Sequence, residues 1–346
     1  MAADVSRSEQ PPAPSVVKKN RPKNTRLRQQ KLPAWQPVLT ASTVIPGIFG
    51  VGAIFLPVGV VLYLTSKSVQ EFVLDYTNQP VNTVNRIDFT LDELFEGDVY
   101  FYYGLDNFYQ NHRRYMKSRS DQQLLGLLND TGECEPYAYI EETGKPKLLI
   151  APCGAVANSM FNDTFVIERK QSSAVPWTWK GVAWPVDRER KFRNPVGPTL
   201  EKAFQGTVKP PNWQKPVWEL DPKNPENNGF LNTDFIVWMR TAALPNFRKL
   251  YRKLVRDDKE YKDGLPPGNY TLIIENNYPV RLFHGKKYFI ISTISWAGGK
   301  NSFLGIMYIA VGCICFFLGI TFVFIHLKFG SSLKDMSNLS RITTRY

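Results

Sequence analysis

The sequence predicts a two-span α-helical membrane anchor carrying a large, mainly antiparallel β ectodomain with a few helices. Three observations predict it. No Asp, Glu, Lys or Arg occurs between Lys31 and Lys67, nor between Lys300 and Lys328. Each of those gaps holds an apolar run with basic residues outside it. The long segment between the runs is rich in aromatic and β-branched stretches punctuated by proline.

Residues 1–42 carry Arg7, Lys18, Lys19, Arg21, Lys23, Arg26, Arg28 and Lys31 against Asp4 and Glu9, a net +6, with few large apolar groups. Such a segment cannot bury a core and is expected to be disordered. "KLPAWQP" (31–37) brings the chain to the membrane, with Trp35 suited to the headgroup region. Residues 43–66 are expected to form the first transmembrane helix, because about 20 apolar residues cross the hydrocarbon core. A cleaved signal peptide fits less well. The basic tail before the run is long, the run exceeds the roughly 7–15 residues of a signal core, and no A-x-A-like site follows.

Residues 67–302 form the ectodomain, 303–327 the second span, and 328–346 a short tail. That tail carries Lys328, Lys334, Arg341 and Arg345 against Asp335, a net +3. Of the total charge of +12, the long middle segment therefore keeps only +3. Basic flanks stay in the cytoplasm. Both termini are expected to be cytosolic, and residues 67–302 lumenal or extracellular. The basic excess reads as topology and attraction to membrane lipids. No motif argues for nucleic acid as a partner.

A lumenal segment should carry lumenal chemistry. Asn129, Asn162 and Asn269 each begin an Asn-x-Thr sequon, and all three lie between the spans. A fourth, at Asn338, falls in the cytosolic tail and should be unused. Cys134 and Cys153 are the only cysteines of the middle segment. An oxidising compartment favours their pairing over two buried thiols, and the closed loop would contribute roughly 3 kcal/mol. Cys313 and Cys315 lie in the second span. At two residues' separation they point about 200° apart on a helix and cannot pair with each other. They read as apolar filler or an acylation site.

Within the ectodomain, "DVYFYYGL" (98–105) reads as a strand. "NYTLIIENNYPVRLF" (269–283) and "KYFIISTISW" (287–296) read as two long strands joined by an "HGK" turn. Pro245 opens an expected helix whose Phe247, Leu250, Tyr251 and Leu254 follow an i, i+3, i+4, i+7 stripe, with Arg and Lys on a solvated face. "AGGK" (297–300) reads as a flexible joint before the second span. Two packed sheets are expected.

No catalytic constellation emerges. His112, His284 and His326 are the only histidines, and none has ligands at metal spacing. No nucleophile elbow or phosphate loop is present. The acids Asp92, Glu93, Glu96 and Asp98 read as a solvated surface, as do the bases of "FYQNHRRYMKSR" (108–119). No enzyme activity, metal or cofactor is expected. The spans lack charge and so offer no ion pathway. Gly52 and Gly59 in the first span, and Gly305, Gly312 and Gly319 in the second, recur every seven residues. That step returns to nearly one helix face, so these glycines are expected to pack against a neighbouring helix.

"LPAWQP" (32–37), "FYQNHRRY" (108–115), "APCGAVANSMFNDTF" (151–165), "NNGFLNTDFIVWMRTAALPNFRKLY" (227–251) and "STISWAGGKNSFLG" (292–305) closely resemble one family. It is the accessory β-subunits of type IV P-type ATPases, the phospholipid flippases, known as the cell-division-cycle-fifty / ligand-effect-modulator family. The resemblance covers roughly residues 22–315. It implies a non-catalytic subunit and chaperone that binds a flippase catalytic subunit, supports its folding, exit from the endoplasmic reticulum and transport cycle, and travels through Golgi and endosomal or secretory vesicles to the plasma membrane. Cys134 and Cys153 match one disulfide of that family. The family's further cysteine cluster after "DYT" is missing from "DYTNQPVNTVNRIDF" (75–89), which is shortened here. The pump's own Asp-Lys-Thr-Gly-Thr motif is absent. Two other readings compete: a two-span ligand-gated channel subunit, disfavoured by scarce ectodomain cysteines and uncharged spans, and a membrane-anchored ectoenzyme, disfavoured by the missing nucleophile motifs.

Overall fold

A computed structural model describes residues 22–33, 40–141, 146–170 and 174–330. The expectations for the first 21 residues, Trp35 and the sequon at Asn338 lie outside the described residues. The principal elements run in the order α1 (Ala41–Ser68), β1 (Glu71–Asp75), β2 (Thr83–Leu91), β3 (Val99–Asp106), α2 (Ala155–Asn158), β4 (Thr164–Arg169), β5 (Trp177–Thr178), α3 (Thr233–Met239), β6 (Phe247–Leu254), β7 (Gly268–Asn276), β8 (Lys286–Thr293) and α4 (Phe303–Phe329). By contacts the chain divides into two units, Ala53–Cys313 and the remainder at both ends.

Two helices, α1 and α4, are long and apolar enough to cross a membrane. At 28 and 27 residues, each rises about 40 Å, more than a hydrocarbon core of about 30 Å. Their basic residues, Lys67 in α1 and His326 and Lys328 in α4, fall in the last turn of each helix, which leaves the central turns free of charge that would be costly to bury in lipid. Polar groups mark where they stop: Asn301 N–H donates to Ser66 Oγ (3.0 Å), and the Asn301 carboxamide oxygen accepts from Phe303 N–H as α4 begins (3.0 Å).

The unit Ala53–Cys313 contains a sandwich of two antiparallel sheets. One has the strand order β1–β8–β3–β6–β5 and the other β2–β7–β4. Alternation along each strand explains the layering. In β7, Tyr270, Leu272, Ile274 and Asn276 are buried, while Asn269 and Glu275 are exposed. In β8, Lys287, Phe289 and Ile291 are buried. Aromatic contacts close the interlayer space: Phe165 lies 4.9 Å from Phe289 and Phe72 lies 5.0 Å from Phe89, centroid to centroid. Two small sheets complete the fold, Phe95–Glu96 with Gly264–Leu265, and Tyr139–Ile140 with Leu148–Ile150 and Thr207–Val208. Among the described residues, the one parallel pairing in these small sheets is Leu148–Ile150 with Thr207–Val208.

The segment after "DYT" carries the chain from one sheet to the other. Gln79 N–H donates to Tyr76 O, Asn82 N–H to Asn276 O, and the Asn276 side chain to Pro80 O. Seven residues between β1 and β2 thus suffice for the crossing.

Two expectations are corrected. Residues 247–254 form strand β6, not a helix. Their register shifts between Leu250 and Arg252, a bulge that places one extra residue opposite β3. Lys249, Tyr251 and Leu254 therefore all face inward. The three-residue step across the bulge imitates helical spacing, and Lys249 occupies the core rather than a solvated face. The second correction concerns residues 269–296. Strand β7 stops at Asn276, Arg281–Phe283 form a 3-10 turn, and β7 and β8 belong to different sheets. His284 and Gly285 turn the chain into β8, with His284 in the left-handed region at φ 53°. They do not close a hairpin between the two strands.

Candidate functional site

The stretch 151–165 organises the ectodomain. Cys153 is bonded to Cys134, with Cα atoms 5.7 Å apart. Both cysteines sit in a small cluster of their own with Ala138 and Ile150. The buried Gln123 side chain clamps this strand, accepting from Cys153 N–H (2.8 Å) and donating to Ile150 O (3.0 Å). Gly154 follows at φ 96°, and a Cβ there would lie 2.1 Å from Ser118 O. Only glycine satisfies both the conformation and the close approach.

Helix α2 has two carbonyls taken by tryptophans from distant segments. Trp238 Nε1 donates to Val156 O and Trp213 Nε1 to Ala157 O, each at 2.7 Å. A four-residue helix cannot satisfy its own carbonyls, so the indoles both fill the core and complete the hydrogen bonding. Phe161 then stacks on Tyr103 of β3, with centroids 4.1 Å apart and an interplanar angle of 2°.

Asp163, the middle residue of the Asn162 sequon, enters the core. Its Oδ1 accepts from Asn277 N–H and Tyr278 N–H, both at 2.6 Å. Its Oδ2 accepts from Tyr76 OH and Lys287 Nζ, both at 2.9 Å. Lys287 Nζ donates also to Tyr278 O (2.7 Å) and to the Asn276 carboxamide. Four acceptor bonds on the carboxylate and three donor bonds on the ammonium offset their desolvation. Burial depresses the Lys287 pKa below its ordinary value, and Asp163 opposes that shift. Burial, aided by Asp163, raises the Tyr76 phenol well above its ordinary value.

Lys249 forms a second buried node. Its Nζ donates to the carbonyls of Val237 (3.0 Å), Trp238 (2.7 Å) and Arg240 (2.7 Å), closing the C-terminal end of α3. The ammonium also lies 4.9 Å from the Trp238 ring centroid. Burial pushes this lysine down to about 7. At the opposite end of α3, Asn232 caps Phe235 N–H (3.0 Å), and Asp234 holds Arg252 of β6 through two bonds of 2.6 and 3.0 Å.

The three sequons occupy different settings. Asn129 and Asn269 are exposed, and the Asn269 carboxamide oxygen accepts from Thr90 (2.7 Å). Asn162 is half-buried, and its Oδ1 is sealed without a hydrogen-bond partner. Thr164 of the same sequon donates to Glu275 (2.8 Å). Among the described residues, no group of three or more His, Cys, Asp or Glu is placed to hold a metal ion.

Gly52, Gly59, Gly305, Gly312 and Gly319 are all buried although the spans are mostly exposed. Within Ala53–Cys313, a Cβ on Gly59 would lie 2.7 Å from Ile309 N, one on Gly305 2.7 Å from Tyr63 N, and one on Gly312 3.0 Å from Leu56 N. In the other unit, a Cβ on Gly319 would lie 2.9 Å from the Phe49 ring. Sequence reasoning did not find Asp163, Lys287 or Lys249. A signal existed for Lys287, which shares the period-2 face of Phe289 and Ile291 in an otherwise apolar strand.

Two apolar helices, a β sandwich between them and a disulfide-linked Pro-Cys-Gly segment define the class: residues 62–332 match the LEM3 (ligand-effect modulator 3) family / CDC50 family, and the chain belongs to it. It is 50% identical over 356 residues to cell cycle control protein 50A of Mus musculus, covering 96% of this chain and 95% of that protein. It is 45% identical over 345 residues to cell cycle control protein 50B of Homo sapiens, covering 91% and 96%. It is 40% identical over 348 residues to ALA-interacting subunit 3 of Arabidopsis thaliana, covering 94% and 93%.

Proposed function

We propose that this chain is the non-catalytic accessory (β) subunit of a phospholipid-flipping type IV P-type ATPase, required for the pump's folding, departure from the endoplasmic reticulum and transport cycle. The observation that carries the reading is membership of the CDC50 family across residues 62–332. Both termini face the cytosol, and the sandwich is lumenal or extracellular, glycosylated at Asn129, Asn162 and Asn269. The charge distribution and the Cys134–Cys153 bond support that placement.

The geometry suits a chaperone-like subunit. Its ectodomain is pinned by buried polar nodes and a disulfide, and so presents a fixed surface to a partner. The glycines of the two spans allow close helix approach without charge. Co-expression with candidate flippase catalytic subunits tests the proposal. This chain should acquire endoglycosidase H-resistant glycans, and the cognate pump should leave the endoplasmic reticulum, only when the two are expressed together. Normal exit of every candidate pump without this chain would overturn the reading.

A further inference from the structure

Asn162 opens onto a cavity of about 250 Å³ in the ectodomain. Its walls combine aromatic surface from Tyr103 and Trp213 with the polar groups of Lys215, Asp234 and Glu275. The volume lies just under the roughly 300–1,000 Å³ of pockets that take drug-sized ligands. Apolar walls with a few converging polar groups suit a sugar ring, which has C–H faces and hydroxyl edges. Lys215 spends one N–H on Leu220 O (3.0 Å) and keeps the others for a ligand. Asn162 contributes an Oδ1 that is buried and unpartnered, which is destabilising unless a donor reaches it.

We propose that this cavity is the seat of the first sugar of an N-linked glycan carried by Asn162 itself. The inference rests on the lumenal placement of the ectodomain proposed above. Glycosylation acts on the extended chain before folding. Asn162 Nδ2 bonds to the anomeric carbon of the sugar, the carbon–oxygen bond to a lipid-pyrophosphate donor breaks, and the displaced amide proton leaves with the pyrophosphate. Folding then closes Asp163 into the core and lays the first sugar against Trp213 and Tyr103. A hydroxyl or acetamido N–H of that sugar supplies the donor that Oδ1 lacks. Asn129 and Asn269 sit on exposed surface, so their glycans project into solvent.

Native and denatured digestion of the full-length protein with peptide N-glycosidase F tests this, using heavy-oxygen water to mark each released asparagine as aspartate. In the folded protein, Asn129 and Asn269 should be released at least tenfold faster than Asn162, and denaturation should abolish the difference. Gln214→Trp fills the exposed mouth of the cavity and should bring Asn162 up to the rate of the other two. The proposal is overturned if Asn162 is released as fast as its neighbours, if it alone lacks sugar, or if Gln214→Trp leaves its slow release unchanged. Absence of sugar from all three sites would overturn the lumenal placement as well.

Discussion

Lys287 Nζ lies 2.9 Å from Asp163 Oδ2, and the two side chains are 1% and 0% exposed. The pair joins β8 of the five-stranded sheet to the residue preceding β4 of the three-stranded sheet. Tyr76, just after β1, binds the same carboxylate oxygen (2.9 Å). The two layers are thus tied together by a buried polar contact. Asp163 is also the central residue of the Asn162 sequon, so the sequon and the sheet lock share that residue.

Asp163→Asn keeps an Asn-x-Thr sequon but strips Lys287 of its charged partner. It should destabilise the full-length protein by about 3–5 kcal/mol, since an unpaired charge stays buried. Adding Lys287→Met should recover part of that loss. Thermal unfolding in detergent checks both, and an unchanged midpoint for Asp163→Asn would refute the lock.

Lys249 gives the fold a dependence on pH. Burial holds it down at about 7, against an ordinary value of 10.5. Below about pH 7 the folded and unfolded chains both carry its proton, and the desolvation penalty is fully present. Between about 7 and 10.5 the unfolded chain holds a proton that the folded chain has released, so this group makes stability rise with pH. Lys249→Met should remove that rise and cost about 1–3 kcal/mol by orphaning three carbonyls. Parallel unfolding at pH 6.5 and 9.0 reads it: equal pH responses in the parent and variant would contradict the assignment.

The span glycines make a graded prediction. Gly59→Ala and Gly305→Ala each drive a Cβ to 2.7 Å from a backbone nitrogen and should cost about 1–3 kcal/mol through overpacking. Gly50→Ala meets nothing within 4 Å and should be neutral or slightly stabilising, because alanine favours the helix. Resistance of the purified protein to thermal aggregation should rank the three accordingly. Identical behaviour of all three would mean that the glycine contacts carry no packing energy.

Cys153→Ser opens the disulfide and should cost about 2–5 kcal/mol. The variant should lose the mobility difference between reducing and non-reducing gels, and its unfolding midpoint should fall. A variant with the parent's midpoint would show that the Gln123 clamp alone holds this segment.

Much of this architecture was legible because it is local. The spans announce themselves through missing charge, and β3 and β8 through runs of aromatic and β-branched residues. Strand β6 was misread because its bulge converts a two-residue alternation into a three-residue step between Tyr251 and Leu254. The site was less legible because its contacts are distant in sequence. Asp163 reads as filler inside a sequon until Lys287, 124 positions later, is folded against it. Nothing in the sequence around Trp213 or Trp238 shows that their indoles reach the carbonyls of α2. Lys249 looked solvent-facing because a basic residue buried under a tryptophan has no local signature.

The most direct test of the central claim is the composition of the complex in native membranes. Affinity purification of the tagged full-length chain in mild detergent, followed by mass measurement and protein identification, should yield a 1:1 complex with a much larger type IV P-type ATPase. Recovery of a homo-oligomer with no P-type ATPase would contradict the account.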